Sequence, residues 1–173
     1  NKETYGDTER ILGNWLSKNH AKRSDMVLMT KVAGSGLRYI REGGPITADA
    51  ITRALDDSLA RLQTDYIDVY QLHWPNRVTP HFGKHWPENT DPTKTDRNRE
   101  VEGMRDILKG IKQALEAGKI KHWGLSDDTP WGIHTYLALC KELNVPFPVS
   151  IQNEFSLLHA KDWPYLIEQC VFE

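Results

Sequence analysis

The sequence predicts an α/β fold built on a parallel sheet. Two observations carry this: helical and strand-like apolar patterns alternate along the whole chain, and no two neighbouring strands are joined by a hairpin turn. A third concerns function. Each predicted strand ends in polar residues that a buried sheet does not otherwise favour: Lys31, His73, Ser126-Asp127 and Gln152-Asn153. In parallel α/β architectures the carboxyl ends of the strands share one face, where the chemistry sits. Alternation alone fits both a (β/α)8 barrel and an open doubly wound sheet.

The elements follow in order. Thr8 is a capping residue for a helix to about Asn19, with Ile11, Leu12, Trp15 and Leu16 as its apolar side. A strand is expected from Met26 to Val32, followed by a glycine-rich loop from Gly34 to Pro45. Gly34-Ser-Gly36 matches only the start of a dinucleotide fingerprint, since Tyr39 stands where the third glycine belongs, so a plain loop is preferred. Thr47 caps a second helix, whose Ile51, Ala54, Leu55, Leu59 and Leu62 keep the helical period. The second strand is expected over Tyr66 to His73. A long polar stretch, Trp74 to Glu100, comes next; loops of that length in a compact domain are usually functional or mobile.

A third helix carries Met104, Ile107, Leu108, Ile111 and Leu115 on one side and stops at Gly118. The third strand is Ile120 to Ser126. Thr129-Pro130 is a strong helix start, and Ile133, Tyr136, Leu137 and Cys140 give that helix its buried stripe. A fourth strand is expected from Pro148 to Asn153, and a last helix from Asp162 to Gln169.

At 173 residues the chain has room for one domain with a real core, and its net charge of -2 leaves no electrostatic footprint for nucleic acid. Arg105, Lys109, Lys112, Lys119 and Lys121 read as a solvated helix face. Cys140 and Cys170 fall at apolar helical positions, and two cysteines are too few for a disulfide scaffold. No apolar run approaches membrane-spanning length and no secretory signal is visible, so a reduced, cytoplasmic chain without membrane contact is expected. The chain starts at Asn1 and stops where a strand could begin, so a piece of a longer protein is expected.

Among the polar strand ends, Lys31 stands out. Burying an ammonium requires a carboxylate partner or a catalytic task; the bland reading is a surface lysine at a strand end. His73 shares its face with Val69 and Gln71, and taken alone reads better as a satisfied core histidine; its combination with Lys31 and Gln152 favours a functional role. Trp74 follows at the rim and is a candidate to line a substrate pocket, whereas Trp123 and Trp131 read as packing residues.

Five blocks taken together carry a resemblance: Thr30-Lys31-Val32, Arg61-Leu-Gln-Thr-Asp-Tyr-Ile-Asp-Val-Tyr-Gln-Leu-His73-Trp-Pro75, Gly118-Lys-Ile, Gly124-Leu-Ser126 and Ile151-Gln152-Asn153. Over essentially its whole length the chain resembles the aldo-keto reductases, in particular their Tas-like branch. The Leu-Gln-Thr-Asp-Tyr…His-Trp-Pro block is the specific one. The resemblance implies a (β/α)8 barrel, of which this chain holds about four of the eight strands as the central part of a single domain spanning residues 1–173. It also implies binding of NADP(H) without a dinucleotide-binding fold, and hydride transfer to a small aldehyde or ketone.

The family uses an Asp, Tyr, Lys and His tetrad. Lys31 matches the lysine and His73 the histidine. A lysine cation beside a phenol lowers the phenol's pKa, and an imidazole orients the carbonyl. Ser126, Asp127 and Gln152 match positions that hold the nicotinamide carboxamide. The tetrad aspartate and tyrosine fall before Asn1; Tyr5 lies in the loop after that tyrosine, and reading it as the acid itself is the minor alternative. Asp127 stands where the family has asparagine, and a carboxylate that accepts but cannot donate is expected to favour the oxidised, cationic nicotinamide. The segments that grip the adenosine phosphates fall after Glu173.

By itself such a half barrel exposes sheet edges and is expected to have low stability and no reductase activity. Two other functions compete. One is a non-catalytic regulatory subunit that binds cofactor and a partner protein, with Trp86 and the Trp74 to Glu100 stretch as contact surface. The other is a metal-dependent barrel hydrolase, suggested by His73, the His81-x3-His85 spacing, Glu88 and Asp91, but the Pro-, Gly- and Lys-rich context predicts no helical ligand geometry, so no metal is expected.

Overall fold

A computed structural model describes residues 2–80, 88, 90–154, 156–157 and 163–172. Its elements are α1 (Asp7–Lys18), β1 (Met29–Val32), α2 (Ala48–Leu62), β2 (Ile67–Leu72), α3 (Arg97–Glu116), β3 (Ile120–Ser126), α4 (Pro130–Leu143), β4 (Ile151–Gln152) and α5 (Trp163–Phe172). The expected start of the last helix, Asp162, lies outside the described residues.

The strands form one parallel sheet in the order β1-β2-β3-β4. This order separates the two architectures that alternation leaves open. A doubly wound sheet reverses direction at a switch point, whereas a (β/α)8 barrel adds each strand beside the last. The helices agree: α1 packs on α2, α2 on α3, α3 on α4 and α4 on α5, as they do when all cover one face of the sheet. The sheet is therefore an open arc of a (β/α)8 barrel.

Central position explains burial. All of β2 is buried because β1 and β3 flank it. The core joins Ile51, Leu55 and Leu62 of α2 to Ile67, Tyr70 and Leu72 of β2, Leu108 and Ile111 of α3, and Trp123 and Leu125 of β3. Burying each such side chain is worth roughly 1.5–3 kcal/mol relative to leaving it in water. At the outer edges, Val27 beside β1 is 74% exposed and Val149 beside β4 is 56% exposed. Among the described residues no helix is long and apolar enough to cross a membrane.

Helix α1 departs from expectation. It begins after Gly6, which adopts φ 81, and Thr8 lies inside it rather than capping it. Ile11, Leu12 and Trp15 are exposed. The buried stripe runs instead through Glu9, Gly13 and Leu16, because a Cβ on Gly13 would collide with the Arg61 carbonyl. The glycine brings the two backbones together and turns the bulkier apolar residues outward. Helix α3 begins within the stretch expected as loop, where the Asp96 side chain accepts from the N–H groups of Asn98 and Arg99. Strand β1 starts late because the Leu28 N–H donates to the Asp68 carboxylate, not to the ladder.

Asp68 staples the amino ends of three neighbouring segments. One oxygen accepts from Leu28 N–H at 3.0 Å and Arg23 at 2.8 Å, the other from Lys121 on β3 at 2.9 Å. The Tyr66 ring lies between the two cations, 3.9 Å from Arg23 and 4.0 Å from Lys121. Burial pushes the Asp68 carboxyl up, but the bonds from Leu28, Lys121 and Arg23 outweigh it and hold the group below the usual carboxylate range. The stabilisation is thus present at neutral pH and is lost as acid protonates the carboxylate. Asp68→Asn is expected to destabilise the fold by about 3 kcal/mol, because it strands a desolvated arginine; urea unfolding measures this, and an unchanged midpoint would show the staple to be idle.

Candidate active site

The parallel register assembles the rim. Lys31 pairs with Gln71 and Val32 with Leu72, and the His73 N–H donates to the Val32 carbonyl at 2.9 Å. Lys31 and Gln71 therefore share one side of the sheet, and His73, two residues beyond Gln71, stands one layer further out on that side. Gln71 also pairs with Gly124, and Ser126 pairs with Gln152. An inner layer of Lys31, Gln71 and Gly124 is thus followed by an outer layer of His73, Ser126 and Gln152. The sequence-predicted residues converge on one end of the sheet.

Lys31 and His73 line one cavity of about 300 Å³, together with Tyr5, Glu9, Thr30, Arg41 and Arg61. Lys31 is half-buried. The cavity's carboxylate, Glu9, is committed elsewhere: it accepts from Thr30 Oγ1 and from Arg61 Nε, each at 2.6 Å. Burial, and then the Lys31 charge, push the His73 imidazole down to about 4. At neutral pH the ring is uncharged, with one N–H to donate and one nitrogen to accept. Tyr5 sits on the cavity wall, edge-on to Tyr39 with ring centroids 6.3 Å apart.

Trp74 is buried. Its indole N–H donates to the Ser35 carbonyl at 3.0 Å, its ring packs on Gly34, and its centroid lies 4.6 Å from that of His73. It reaches the site as the wall behind His73. Trp123 is a packing residue, donating to the Pro146 carbonyl and meeting Tyr136 edge-on. Trp131 packs at the surface rather than in the core, its ring 5.0 Å from the Arg77 guanidinium.

At the other side of the rim, Ser126 is buried and Gln152 exposed. Asp127 takes φ 49, and its N–H donates to the Gln152 carbonyl at 3.1 Å. This left-handed turn breaks strand β3 immediately after Ser126. Sequence reasoning passed over Arg77 and Asp128, which form a buried ion pair beneath this turn. It also passed over Ser150, whose hydroxyl accepts from Gln71 at 3.4 Å across Gly124. The only sequence signal for Gln71 is its parity with His73. Buried side-chain oxygens of Gln71 and Asn153 have no hydrogen-bond partner among the described residues.

His81, His85 and Trp86 lie outside the described residues. Among the described residues no group of three His, Cys, Asp or Glu side chains is placed to hold a metal ion.

A sequence model of the Aldo/keto reductase family matches residues 3–171. The chain belongs to the aldo/keto reductase family. It is 39% identical over 160 residues to Protein tas of Escherichia coli (strain K12), covering 91% of this chain and 44% of that protein. An aldo-keto reductase of Babesia bovis is 40% identical over 139 residues, covering 78% of this chain and 49% of that protein. This aldo/keto reductase chain thus spans less than half the length of the curated relatives it matches. Its four-strand arc is a part of the family's (β/α)8 barrel.

The depressed imidazole of His73 gives a pH signature. The unfolded chain takes up this proton near 6.5, whereas the folded chain resists until about 4. Across that window the unfolded state binds more protons, so acidification destabilises the fold. His73→Gln is expected to reduce the loss in unfolding midpoint between pH 7 and pH 5; an equal loss in both proteins would show the imidazole to be unperturbed.

Proposed function

We propose that this chain is the central part of a single barrel domain of an NADP(H)-dependent oxidoreductase that reduces small aldehydes or ketones, working in the cytoplasm. One observation carries the reading: the parallel register brings Lys31 and His73, forty-two residues apart, to the same face and the same cavity. Family membership supplies the reaction class.

The residues at hand suit a nicotinamide. A carboxamide needs an acceptor for its NH2 and a donor for its oxygen. The Ser126 hydroxyl and the Gln152 amide each offer both, and Asp127 offers acceptance alone. When bound, NADPH supplies the hydride. Lys31 contributes a positive charge that lowers the pKa of an adjoining phenol, so that the phenol yields its proton near neutral pH. His73 contributes a neutral N–H that fixes the carbonyl oxygen and follows its growing negative charge. Trp74 holds the imidazole from behind and excludes water from that side.

Two experiments test this reading in the full-length protein. NADPH oxidation with a panel of aldehydes is expected to proceed, and Lys31→Met is expected to lower kcat on the order of 10²–10⁴-fold, the usual worth of general acid–base assistance; undiminished turnover would remove Lys31 from the chemistry. Asp127→Asn is expected to shift the ratio of NADP+ to NADPH affinity toward the reduced cofactor, because it withdraws a carboxylate that favours the cationic ring. A ratio equal to that of the unmodified protein would end that role for Asp127.

A further inference from the structure

The buried ion pair beneath the β3 turn has no part in the reading above. Arg77 comes from the segment after β2, four residues beyond His73, and Asp128 follows Asp127. Their side chains are 7% and 3% exposed. The Arg77 guanidinium donates to the Asp128 carboxylate and, at 3.1 Å, to Thr129 Oγ1, while Trp131 covers it from the solvent side. The same Asp128 oxygen accepts the Thr129 N–H at 2.7 Å. Burial pushes the Asp128 carboxyl up, against the Arg77 charge that pulls it down.

A pair this deep is expensive. Desolvating both ions can cost more than their attraction returns, so stability alone is a poor reason to keep it. Capping α4 does not require it either, since Thr129 accepts the Gly132 N–H through its own side chain. What the pair does is tie residue 128, at the end of the 126–128 turn, to the segment after β2, beside further bonds that hold the turn itself. The Asp127 N–H is held by Gln152, the Asp127 carbonyl meets Thr79 Oγ1 at 3.5 Å, and the Asp128 carbonyl accepts from Asn153 at 3.4 Å. A non-glycine residue at φ 49 persists only where its surroundings enforce it. Gly132 completes the arrangement: a Cβ there would collide with both the Asp128 carboxylate and the Arg77 guanidinium.

We infer that Arg77 and Asp128 are positioning residues that hold the Ser126-Asp127 turn at the geometry required to grip the nicotinamide carboxamide. The inference rests on the cofactor reading above and extends it from the residues that touch the ring to the pair that sets their place. The clamp also joins the two halves of the site, because Arg77 belongs to the segment that carries His73.

The test compares two ligands in the full-length protein: NADPH, and the same molecule lacking its nicotinamide. In Arg77→Met the Kd for NADPH is expected to rise about tenfold or more, the cost of a small misplacement of binding groups, while the Kd for the truncated ligand stays unchanged. Gly132→Ala keeps every charge but displaces the pair, and is expected to act in the same direction. Near-ultraviolet circular dichroism identifies the folded variants, and hydrogen exchange at the Asp127 amide is expected to quicken in both. Equal losses for the two ligands, or none for either, in a folded variant would overturn the inference alone. Failure of the unmodified protein to bind NADPH would overturn the cofactor reading and the inference with it.

Discussion

Parallel pairing in unbroken chain order is the constraint on which everything else depends. Each strand returns in the same direction, so each carboxyl end arrives at the same face, and the pleat then sorts side chains by parity. Lys31, Gln71 and Gly124 fall into one layer, and His73, Ser126 and Gln152 into the next. A slip of one residue between β1 and β2 would turn Lys31 from the cavity toward the helices. No local preference of a lysine or a histidine prevents this. The apolar faces of β2 and α2 do, because Tyr70 and Leu72, on the side opposite Gln71 and His73, must meet the buried stripe of Ile51, Leu55 and Leu62.

The two ends of the sheet divide the labour. At the amino end, Asp68 is fully satisfied by Leu28, Arg23 and Lys121 and contributes rigidity. At the carboxyl end, polar groups are left in less comfortable states: the half-buried Lys31 side chain beside an imidazole that resists protonation, and an amide oxygen of Gln71 without a partner among the described residues. Stability gathered at one end permits electrostatic discomfort at the other, and perturbed groups of this kind cluster at functional sites.

Much of this was legible in the sequence, and the residues say why. Strand β3 runs from Ile120 to Ser126 as its pattern predicts, and Thr47 and Thr129 cap α2 and α4, because these signals are local. The rim was legible because polar residues at the ends of apolar strands are conspicuous. Helix α1 misled because its buried stripe is built on Gly13 and Glu9, which carry no apolar signal. The start of α3 was hidden because its first turn, Arg97 to Glu100, is wholly polar. Strand β4 is short because only Ile151 and Gln152 complete the ladder, although Val149 and Ser150 already bond to β3. Asp68 with Arg23, and Arg77 with Asp128, were invisible: each pair joins residues more than forty positions apart, and neither spacing leaves a periodic trace.

The segments after the strands form a chain of locks. Gly34 and Ser35 after β1 seat Trp74 after β2, and Asn76 exchanges two hydrogen bonds with the backbone of Ile46. Arg77 then ties the β2 segment to the turn after β3, and Asn153 ties that turn to the end of β4. Loops on a barrel are often treated as exchangeable parts, each tuned without regard to its neighbours. Here a graft of the segment after β2 or of the turn after β3 would sever bonds on both flanks, so a change there would have to be transplanted as an interlocked set or sought in side chains that take no part in the locking.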